Sequence, residues 1–317
     1  MKVSVIIPTY NYGHFIMEAI HSVLAQDYQK ELIEIIVIDD GSTDDTKQLL
    51  EGIITDNAGI QYHYQENAGK AAATQIGIAL ANGEIIFNLD ADDWFLPGKI
   101  SKTVQIFRHD PTLVHVGSPA LIHWQEGNRN PEPEPIPFNV TGKNNGIDTL
   151  KYFMRKKLLF GGGSTFAARS AVLKQIKWQA AIDMYTDEWL LINTLLQSNC
   201  YFFHEPLSAW RVHGGNYSGG QLVNQEKRQE RLRRASTAIL HLLEAGKYPA
   251  WLKNNYRLKH ATREIVWREE RNKKGLVDVS RYLYRGILSG NSVSTLRAYH
   301  AFNRLLPMWV RRLVHGS

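Results

Sequence analysis

The sequence predicts a doubly wound, Rossmann-like α/β fold with a mostly parallel sheet, followed by a helical extension at the C-terminal end. Through the first 90 residues, short β-rich runs alternate with longer helical patterns. The β-rich runs are apolar almost throughout, as in "VSVIIP" and "EIIF", which is typical of strands buried on both faces. Helices on both sides of a parallel sheet provide that burial.

The predicted elements follow one another in a regular order. Four strands are predicted at 3–8, 33–39, 60–65 and 84–90. The helices between them are predicted at 14–26, 43–55 and 69–83. Ser42 or Thr43 is the expected N-cap of the second helix, and Gly83 is expected to end the third.

Polar residues follow each of these four strands. In chain order, the segments are "PTYN", "DDGSTD", "ENAGK" and "DADD". Because doubly wound folds bind their ligands at the carboxyl ends of the strands, we expect these segments to form one cleft. The dinucleotide fingerprint G-x-G-x-x-G and the P-loop lysine motif are both absent from the sequence after the first strand. The cleft therefore requires another way to hold its ligand.

The last of these segments brings together three carboxylates, Asp90, Asp92 and Asp93. Crowded carboxylates raise one another's pKa, and they repel a phosphate group. A divalent cation between them and a nucleotide diphosphate removes both conflicts, so we expect Mg²⁺ or Mn²⁺ at this position. The alternative interpretation is that Asp92 or Asp93 only caps a helix near residues 96–105.

The charge distribution divides the chain into two regions. Residues 1–220 carry 17 Lys and Arg against 24 Asp and Glu, whereas residues 221–317 carry 20 against 7. We therefore expect an acidic α/β domain over 1–220 and a basic helical region over 221–317. The proline-rich stretch 124–146 is expected to be an extended loop that separates residues 1–123 from residues 124–220.

The cysteine content and the hydropathy of the sequence indicate the cellular compartment of the protein. Cys200 is the only cysteine in the sequence, so we expect neither an intramolecular disulfide nor a cysteine metal cluster. The first ten residues are interpreted as a strand, because their apolar run is too short for a signal-peptide core. No apolar run of the sequence approaches the roughly 18 residues that a transmembrane helix needs. We expect a cytoplasmic protein, either free or peripheral on the inner face of the membrane.

Several stretches resemble the family 2 glycosyltransferases. They are "VSVIIPTYN", "SVLAQDY", "EIIVIDDGSTDDT", "NAGKAAATQIGIALANGEIIFNLDADD" and "EPLSAWRVHGGNYS", and they extend from residue 3 to about residue 218. The resemblance implies the GT-A fold and transfer of a sugar from a nucleotide-diphosphate donor, with inversion at the anomeric carbon. It also implies that residues 1–123 bind the nucleotide sugar and that residues 124–220 bind the acceptor.

The resemblance implies roles for residues of the donor half. Asp90 and Asp92 match the D-x-D motif, with Asp92 as a direct metal ligand and Asp90 as a contact to the ribose or to the metal site. The positions implied to contact the nucleotide are Pro8 and Tyr10 beside the base, Asp39 and Asp40 reading the base, and Asn67 and Lys70 in the loop over the nucleotide. Asp39 and Asp40 make uridine the default base. The family often has Arg-Asn where this chain has Thr74-Gln75, and this difference leaves other bases open.

In the acceptor half, the resemblance implies a general base at Asp187 or Glu188. Alignment on Trp189 favours Glu188, whereas the type of side chain favours Asp187. The alternative is that this pair only caps the following helix and stabilises its dipole. His213 matches a position that contacts the metal or the donor phosphates, and Arg211 is expected to neutralise phosphate charge.

The segment "FGGGSTFAARSAVLKQI" resembles the part of the family that lies beside the acceptor. Its three successive glycines permit close approach of the backbone to a ligand, or they form only a flexible turn. The implied mechanism is a single displacement. The base activates an acceptor hydroxyl, and a cation stabilises the departing nucleotide diphosphate.

The C-terminal region is expected to contain basic amphipathic helices. In the last of them, apolar residues that include Phe302, Leu305, Leu306 and Trp309 lie near one face, between arginines. Such a face binds anionic membranes, which would bring the site to a lipid-linked acceptor. The alternative is that it packs on the catalytic domain or on a second subunit. The sequence contains no recognised nucleic-acid-binding motif.

The sequence therefore predicts a metal-dependent hexosyltransferase of cell-surface polysaccharide or glycolipid synthesis, with a UDP-sugar as the expected donor. A sugar nucleotidylyltransferase would need a Gly-rich loop with Arg or Lys after the first strand, and "PTYNYGHF" is not such a loop. The remaining alternative is a non-catalytic nucleotide-sugar-binding or scaffold protein. Such a protein need not keep both the D-x-D motif and the Asp187-Glu188 pair.

Overall fold

The structure is a computed structural model. It describes residues 1–127, 129–156, 162–216, 225–270 and Tyr284. The chain falls into two compact units, Met1–Gln221 and Leu222–Ser317. The predicted amphipathic face around Trp309 lies outside the described residues.

The described residues form twelve strands and nine helices. The strands are β1 (Val3–Thr9), β2 (Ile33–Asp39), β3 (Ile60–Tyr64), β4 (Ile85–Asn88), β5 (Trp94–Phe95), β6 (Leu113–Gly117), β7 (Ala120–Trp124), β8 (Glu132–Pro133), β9 (Gly142–Asn145), β10 (Phe166–Arg169), β11 (Asn199–Phe202) and β12 (Ser208–Val212). The helices are α1 (Gly13–Leu24), α2 (Thr46–Asp56), α3 (Lys70–Leu80), α4 (Lys99–His109), α5 (Gly146–Lys156), α6 (Ser170–Leu173), α7 (Thr186–Leu195), α8 (Gln225–Ala245) and α9 (Ala250–Glu270).

The larger sheet has eight strands in the order β3-β2-β1-β4-β10-β6-β11-β9. Strands β3, β2, β1 and β4 are parallel to one another, and β11 is parallel to β6. Strand β10 is antiparallel to both of its neighbours, and β9 is antiparallel to β11. The prediction of a doubly wound, mostly parallel sheet is confirmed. Strand β1 lies between β2 and β4, so the switch in strand order lies at the carboxyl end of β1.

Alternate side chains of the central strands build an apolar core on each side of the sheet. On one side, Val5 and Ile7 belong to a buried cluster that includes Ile20 of α1. On the other side, Ile6 belongs to a cluster that includes Ile78 of α3 and Leu190 of α7. Burial on both faces explains why these strands are continuous apolar runs in the sequence.

A smaller sheet connects the Asp-rich segment after β4 with a later part of the chain. Its order is β5-β12-β7-β8. Strand β5 begins directly after Asp93, and Ala209 of β12 is paired with Trp94 of β5. Strand β12 then continues through Arg211. This pairing brings a segment more than 100 residues away in sequence beside the three carboxylates.

The second helix begins later than the sequence predicts. Helix α2 begins at Thr46, and neither Ser42 nor Thr43 caps it. Asp44 instead accepts hydrogen bonds from the backbone of Thr46 at 3.1 Å and from the backbone of Gly13 at 3.0 Å. Its carboxylate therefore stabilises the starts of α1 and α2 together, whereas the Ser42 hydroxyl accepts a bond from the loop after β1.

The third helix ends earlier than predicted, at Leu80 rather than Gly83. The amide of Gly83 donates to the hydroxyl of Ser4 at 2.8 Å. A Cβ at position 83 would lie only 2.5 Å from the backbone nitrogen of Ser4. Gly83 is therefore required by close packing on β1, and it does not end the helix.

The helix after β5 also begins later than predicted. It begins at Lys99, and Gly98, with φ of +81°, is its N-cap. Asp92 and Asp93 lie on the other side of β5, so neither residue caps this helix. The interpretation of these two carboxylates as helix caps is therefore wrong.

The described part of the C-terminal unit consists of α8 and α9, which pack against each other. Both helices bury apolar side chains, among them Leu232, Ile239, Leu243, Leu252, Tyr256 and Leu258. Arg233 of α8 pairs with Glu230 at 2.9 Å and with Glu264 of α9 at 3.0 Å. The helical C-terminal region is therefore confirmed for these residues. Across all described ranges, no helix combines the length and the apolarity needed to span a membrane.

Lys99, the first residue of α4, is almost completely buried. Its ammonium donates a hydrogen bond to the carbonyl of Thr165 at 2.9 Å and lies 3.5 Å from the hydroxyl of Ser118. Both contacts are to neutral groups. Burial lowers the pKa of Lys99 from 10.5 to about 7.

We expect Lys99 to make the stability of the fold depend on pH. Its pKa is lower in the folded state, so between about pH 7 and pH 10.5 the unfolded chain binds more protons and stability rises with pH. Below pH 7 the cost of burying the charge is present in full. Replacing Lys99 with Met removes this term. The Lys99→Met variant should therefore gain about 3 kcal/mol more over wild type at pH 6 than at pH 9.

Urea unfolding at the two pH values measures this difference. Lys102, whose side chain is 42% exposed and pairs with Glu205 at 2.7 Å, provides the matched control. Lys102→Met should show no comparable change between pH 6 and pH 9. An equal effect of Lys99→Met at both pH values would contradict the lowered pKa.

Candidate active site

The carboxyl ends of the four parallel strands lie side by side. The amide of Asp40 donates to the carbonyl of Thr9 at 2.8 Å, and the amide of Gln65 donates to the carbonyl of Asp39 at 2.9 Å. The amide of Leu89, after β4, donates to β1 at 2.9 Å. The four polar segments therefore share one edge of the sheet, where the sequence predicts a cleft.

Asp39 and Asp40 are both buried at this edge. Asp39 accepts hydrogen bonds from the amide of Ser42 and from the hydroxyl of Tyr62, each at 2.7 Å. Asp40 accepts from two backbone amides of the loop 65–69, each at 2.8 Å. Both carboxylates therefore fix the shape of loops that border the cleft. Each carboxylate oxygen accepts up to two hydrogen bonds, so Asp39 can accept a further hydrogen bond from the base of a nucleotide.

The other predicted nucleotide contacts surround this pair. Pro8 is buried in β1, and Tyr10, which follows β1, is 46% exposed. Asn67 is exposed, and its backbone nitrogen lies 2.9 Å from the position that a Cβ of Gly41 would take. Gly41, with φ of +83°, thus lets the loops after β2 and β3 meet.

The three carboxylates after β4 form a cluster. Asp90, Asp92 and Asp93 each offer one oxygen, and these atoms lie within 4.8 Å of one another. Burial, together with Asp187 and Asp92, raises the pKa of Asp90, although Lys70 opposes this shift. Burial and the two neighbouring carboxylates also raise the pKa of Asp93. Carboxylate oxygens in this arrangement suit Mg²⁺ or Mn²⁺, whose charge offsets the repulsion, so the residues fit the predicted metal.

Ser164 connects two members of the cluster. Its hydroxyl accepts a hydrogen bond from the amide of Asp90 at 3.0 Å and donates to the carboxylate of Asp93 at 2.5 Å. Asp93 also accepts from the amide of Arg211 at 3.0 Å. The buried Asp93 is therefore held from two sides by residues that lie far from it in the sequence.

Asp92 contacts His213 and Asn216. The Nε2 atom of His213 and the amide nitrogen of the Asn216 side chain each lie 3.1 Å from Asp92 Oδ2. The amide of Gly215 donates to His213 Nδ1 at 3.2 Å, so the ring proton is on Nε2 and His213 donates to Asp92. His213 therefore lies at the predicted metal site. In this tautomer His213 supports Asp92 through Nε2.

Arg211 is 8% exposed and packs between two aromatic rings. Its guanidinium lies 4.7 Å from the ring centre of Phe15 and 4.6 Å from that of Trp94. Its Nε atom donates to the carbonyl of Asp92 at 2.9 Å, and its Nη2 atom pairs with Glu18. The described contacts of Arg211 thus hold the backbone of the D-x-D segment in place.

Lys70 connects the Asp-rich segment after β4 with helix α7. Its ammonium lies 2.8 Å from the carboxylate of Asp90 and 3.3 Å from Asp187 Oδ2. The carboxylates of Asp187 and Asp90 raise the pKa of Lys70 against the opposing effect of burial, so it carries a positive charge. The ammonium of Lys70 therefore lies between Asp187, the candidate base, and Asp90 of the D-x-D motif.

Gly163 lies between the same two carboxylates. A Cβ at this position would lie 3.0 Å from Asp90 Oδ1 and 3.0 Å from Asp187 Oδ1, and it would collide with the side-chain nitrogen of Asn88. The backbone at Gly163 therefore approaches protein side chains closely, and its approach to a ligand stays a prediction. The segment before Gly162 lies outside the described residues.

Asp187 and Glu188 both lie in the first turn of α7, where a negative charge stabilises the helix dipole. Asp187 faces Lys70, whereas Glu188 is 4% exposed and lines a cavity behind Asp187. Asp187 therefore lies where it stabilises the helix, and it also lies close to the D-x-D motif, so the two expectations do not exclude each other.

The sequence prediction missed several residues of this site. Tyr12 is one of them: burial beside Asp92 and Asp90 raises the pKa of its hydroxyl, which donates to the carbonyl of Gly215 at 3.3 Å. Glu18, Asn88, Ser164 and Asn216 are the others. Asn88 adjoins the D-x-D segment, so its position was a usable signal. Glu18 lies on a helix more than 70 residues away, and no local pattern marks it.

Comparisons with known proteins identify relatives of this chain. A sequence model described as "Glycosyl transferase family 2" matches residues 4–176, which is more than half of the chain. An uncharacterized glycosyltransferase of Nostoc sp. is 30% identical over 225 residues, which cover 68% of this chain and 66% of that protein. The GalNAc(5)-diNAcBac-PP-undecaprenol beta-1,3-glucosyltransferase of Campylobacter jejuni is 29% identical over 215 residues, covering 67% and 65%. The chain thus covers less than two thirds of the length of these relatives.

Solved structures share the fold. TarS of S. aureus (residues 1–349, in complex with UDP-GlcNAc) superposes with a TM-score of 0.63 at 18% identity, over 99% of this chain and 86% of that chain. The mannosyltransferase PcManGT of Pyrobaculum calidifontis, in complex with GDP-Man and Mn²⁺, superposes with a TM-score of 0.55 at 18% identity, over 100% and 88%. At this level of identity the likeness concerns the fold alone. The GT-A fold that the sequence resemblance implied is confirmed.

Gly163 provides a test of the site geometry. An added Cβ must push Asn88, Asp90 and Asp187 apart, so Gly163→Ala should lower the free energy of unfolding by about 1–3 kcal/mol and weaken Mn²⁺ binding. Gly52 of α2 has open space around it and is the matched control. Gly52→Ala should stabilise the fold by about 0.5–1 kcal/mol and leave Mn²⁺ binding unchanged.

Urea unfolding and calorimetric titration with Mn²⁺ measure these two effects. Wild-type Mn²⁺ affinity in Gly163→Ala would show that the cluster does not depend on the packing at position 163.

Proposed function

Because the chain belongs to glycosyl transferase family 2, we propose that it transfers a sugar from a nucleotide-diphosphate sugar to a hydroxyl group of an acceptor, with inversion at the anomeric carbon. One observation carries this proposal: Asp187 of the acceptor half meets Asp90 of the D-x-D motif at Lys70. A donor diphosphate at Asp90 and an acceptor hydroxyl at Asp187 would therefore lie next to each other. We take a UDP-sugar as the donor, as the sequence suggests.

The cofactor in this proposal is Mn²⁺ or Mg²⁺, held by Asp92 and Asp90, with His213 beside them. Asp93 accepts bonds from Ser164 and Arg211, so its part is to fix the backbone that carries the other two carboxylates. A divalent cation bound there supplies the positive charge that stabilises the departing nucleotide diphosphate.

The nucleotide is proposed to lie along the carboxyl ends of β1, β2 and β3. The residues that border this edge are Pro8, Tyr10, Asp39, Asp40, Asn67 and Lys70, with Asp90 at the ribose end. Arg211 is directed at the carbonyl of Asp92 and at Glu18. We therefore assign it the positioning of the D-x-D segment rather than direct contact with phosphate.

Asp187 is the general base in this proposal. Its Oδ2 atom is oriented by Lys70, and its Oδ1 atom is buried without a partner among the described residues. Asp187 Oδ1 takes the proton of the acceptor hydroxyl as the acceptor oxygen forms a bond to the anomeric carbon. The bond from that carbon to the diphosphate oxygen breaks at the same time, and the electron pair leaves with the diphosphate.

The acceptor is proposed to be a glycan or a lipid-linked glycan of cell-surface polysaccharide or glycolipid synthesis. The Campylobacter jejuni relative, whose name includes undecaprenol, supports a lipid-linked acceptor. Contact with the inner face of the membrane through the basic C-terminal region remains part of this proposal, as does a homo-oligomer. Both rest on the sequence, because the segment around Trp309 lies outside the described residues.

Nucleotide titration tests the donor site. UDP, GDP and dTDP are each titrated by calorimetry with Mn²⁺ and with EDTA, on wild type, on Asp92→Ala and on the control Asp56→Ala at the exposed end of α2. We expect one nucleotide to bind only with Mn²⁺, and its binding to be lost in Asp92→Ala alone. Absence of binding for every nucleotide by the folded wild type would sink the proposal and favour the scaffold alternative.

A second experiment identifies the base. The rate of nucleotide diphosphate release from the donor is measured for Asp187→Asn and Glu188→Gln, with water as the acceptor. Because a positioned base contributes about 10²–10⁴-fold, Asp187→Asn should lose at least about 100-fold in kcat with unchanged donor affinity. Glu188→Gln should lose less than about tenfold. The reverse ranking would assign the base to Glu188.

A further inference from the structure

Lys70 contacts Asp90 at both of its carboxylate oxygens. The distance from Lys70 Nζ is 2.8 Å to Asp90 Oδ1 and 2.8 Å to Asp90 Oδ2. The side-chain amide of Asn88 also donates to Asp90 Oδ1, at 3.3 Å. Because a carboxylate oxygen accepts up to two hydrogen bonds, Oδ1 is fully used and Oδ2 keeps one lone pair. The ammonium therefore lies where a cation would bridge the two oxygens of Asp90.

The other two carboxylates of the cluster have different partners. Asp92 accepts hydrogen bonds from His213 and Asn216 at Oδ2, and no described residue donates to its Oδ1. Asp93 accepts from a hydroxyl and from a backbone amide. Among the described residues, Asp90 is thus the member of the cluster that forms an ion pair with a lysine or arginine side chain. A metal ion that binds Asp92 Oδ1 therefore meets Lys70 at its second proposed ligand.

Lys70 has a second carboxylate within reach. Its ammonium lies 3.3 Å from Asp187 Oδ2, and no other ion pair of this ammonium occurs among the described residues. The backbone of Lys70 is fixed, because it begins α3 directly after Ala68 and Gly69, whose amides donate to Asp40. Movement is therefore confined to the side chain, which is 20% exposed. The ammonium can leave Asp90 and keep its contact with Asp187.

We propose that Lys70 competes with the metal: its ammonium pairs with Asp90 until a divalent cation displaces it, and the nucleotide diphosphate then becomes its new partner. The inference rests on the proposed function, because it concerns the metal site of that reaction. An ammonium and a divalent cation repel each other when both contact one carboxylate. The metal has to displace Lys70 before Asp90 can ligate it fully, so the metal alone binds weakly.

Cooperation between the metal and the nucleotide follows from this competition. The diphosphate oxygens offer Lys70 charge-assisted hydrogen bonds, which replace those that it loses at Asp90. Each ligand thereby favours the binding of the other, in addition to the direct contact between them. Asp187 keeps Lys70 nearby throughout, so the same side chain continues to orient the proposed base.

Titration with Mn²⁺ in the absence of nucleotide tests the competition. Affinity for Mn²⁺ is measured by calorimetry for wild type, Lys70→Met and Lys70→Arg. Because Lys70→Met removes the competing charge, it should bind Mn²⁺ at least about tenfold more tightly than wild type does. Lys70→Arg keeps a cation at this position and should show no such gain. Equal affinities of wild type and Lys70→Met would contradict the proposal.

Two comparisons separate competition at Asp90 from a general effect of charge. Lys102→Met removes the same charge from a lysine of α4 that pairs with Glu205, and it should bind Mn²⁺ as wild type does. In an Asp90→Asn background, Lys70→Met should bring no gain in Mn²⁺ affinity, because the shared ligand is absent. A gain of the same size in that background would show that Lys70 acts only through its charge.

A crystal structure of the wild type provides a measurement that needs no variant. The protein is crystallised with Mn²⁺ and with whichever of UDP, GDP and dTDP it binds. Lys70 Nζ should then lie beyond hydrogen-bond distance, more than about 3.5 Å, from both oxygens of Asp90. An ammonium that still contacts both oxygens beside a bound Mn²⁺ would rule out the displacement.

Nucleotide titration separates this inference from the proposed function. The nucleotide should raise the Mn²⁺ affinity of wild type by a larger factor than that of Lys70→Met, which has no ammonium to transfer to the diphosphate. If a nucleotide binds with Mn²⁺ but Lys70→Met gives no gain with Mn²⁺ alone, the competition is wrong and the donor site stands. If no nucleotide binds, the proposed function fails, and the titrations with Mn²⁺ alone still decide whether Lys70 competes.

Discussion

Repulsion between like charges is the constraint on which this site depends. Asp90, Asp92, Asp93 and Asp187 converge on one edge of the sheet, and each charge raises the cost of the next. Lys70 offsets part of this cost by pairing with Asp90 and Asp187. A site built in this way is stable enough to fold, yet its unbalanced negative charge favours a divalent cation.

The fold meets this constraint by drawing its supports from distant parts of the chain. Strand β12 places Arg211 against the carbonyl of Asp92 and the carboxylate of Asp93, and Ser164 reaches Asp93 from the turn before β10. None of these contacts forms until the smaller sheet and the antiparallel strand β10 are in place. The carboxylates after β4 therefore depend for their geometry on Ser164 and Arg211, which lie more than 70 residues away in the sequence.

The distance in sequence between these contacting residues explains how far the sequence predicts the structure. The parallel strands and the shared edge follow from local apolar runs and the polar residues after them, because both patterns are contiguous in the chain. The start of α2 was missed because Asp44 stabilises two helix starts at once. Whether Asp187 or Glu188 faces the D-x-D motif depends on the position of Lys70, which no spacing in the sequence encodes. Glu18 and Ser164 are long-range partners of the same kind.

Two lysines show that the surroundings of a side chain decide whether it stays protonated. Helices α3 and α4 each begin with a Gly-Lys pair whose glycine has positive φ, at Gly69 and Gly98. A cation at a helix N-terminus is unfavourable, so each lysine needs another reason to be there. Lys70 lies beside two carboxylates, which raise its pKa, so it stays protonated. Among the described residues, the hydrogen-bond partners of Lys99 are a carbonyl and a hydroxyl oxygen, and burial lowers its pKa. Both nevertheless border residues 163–165, because Lys70 holds the carboxylates against Gly163 and Lys99 holds the carbonyl of Thr165. Residues 163–165 are thereby fixed from two sides, and the side at Lys70 also carries the carboxylates of Asp90 and Asp187.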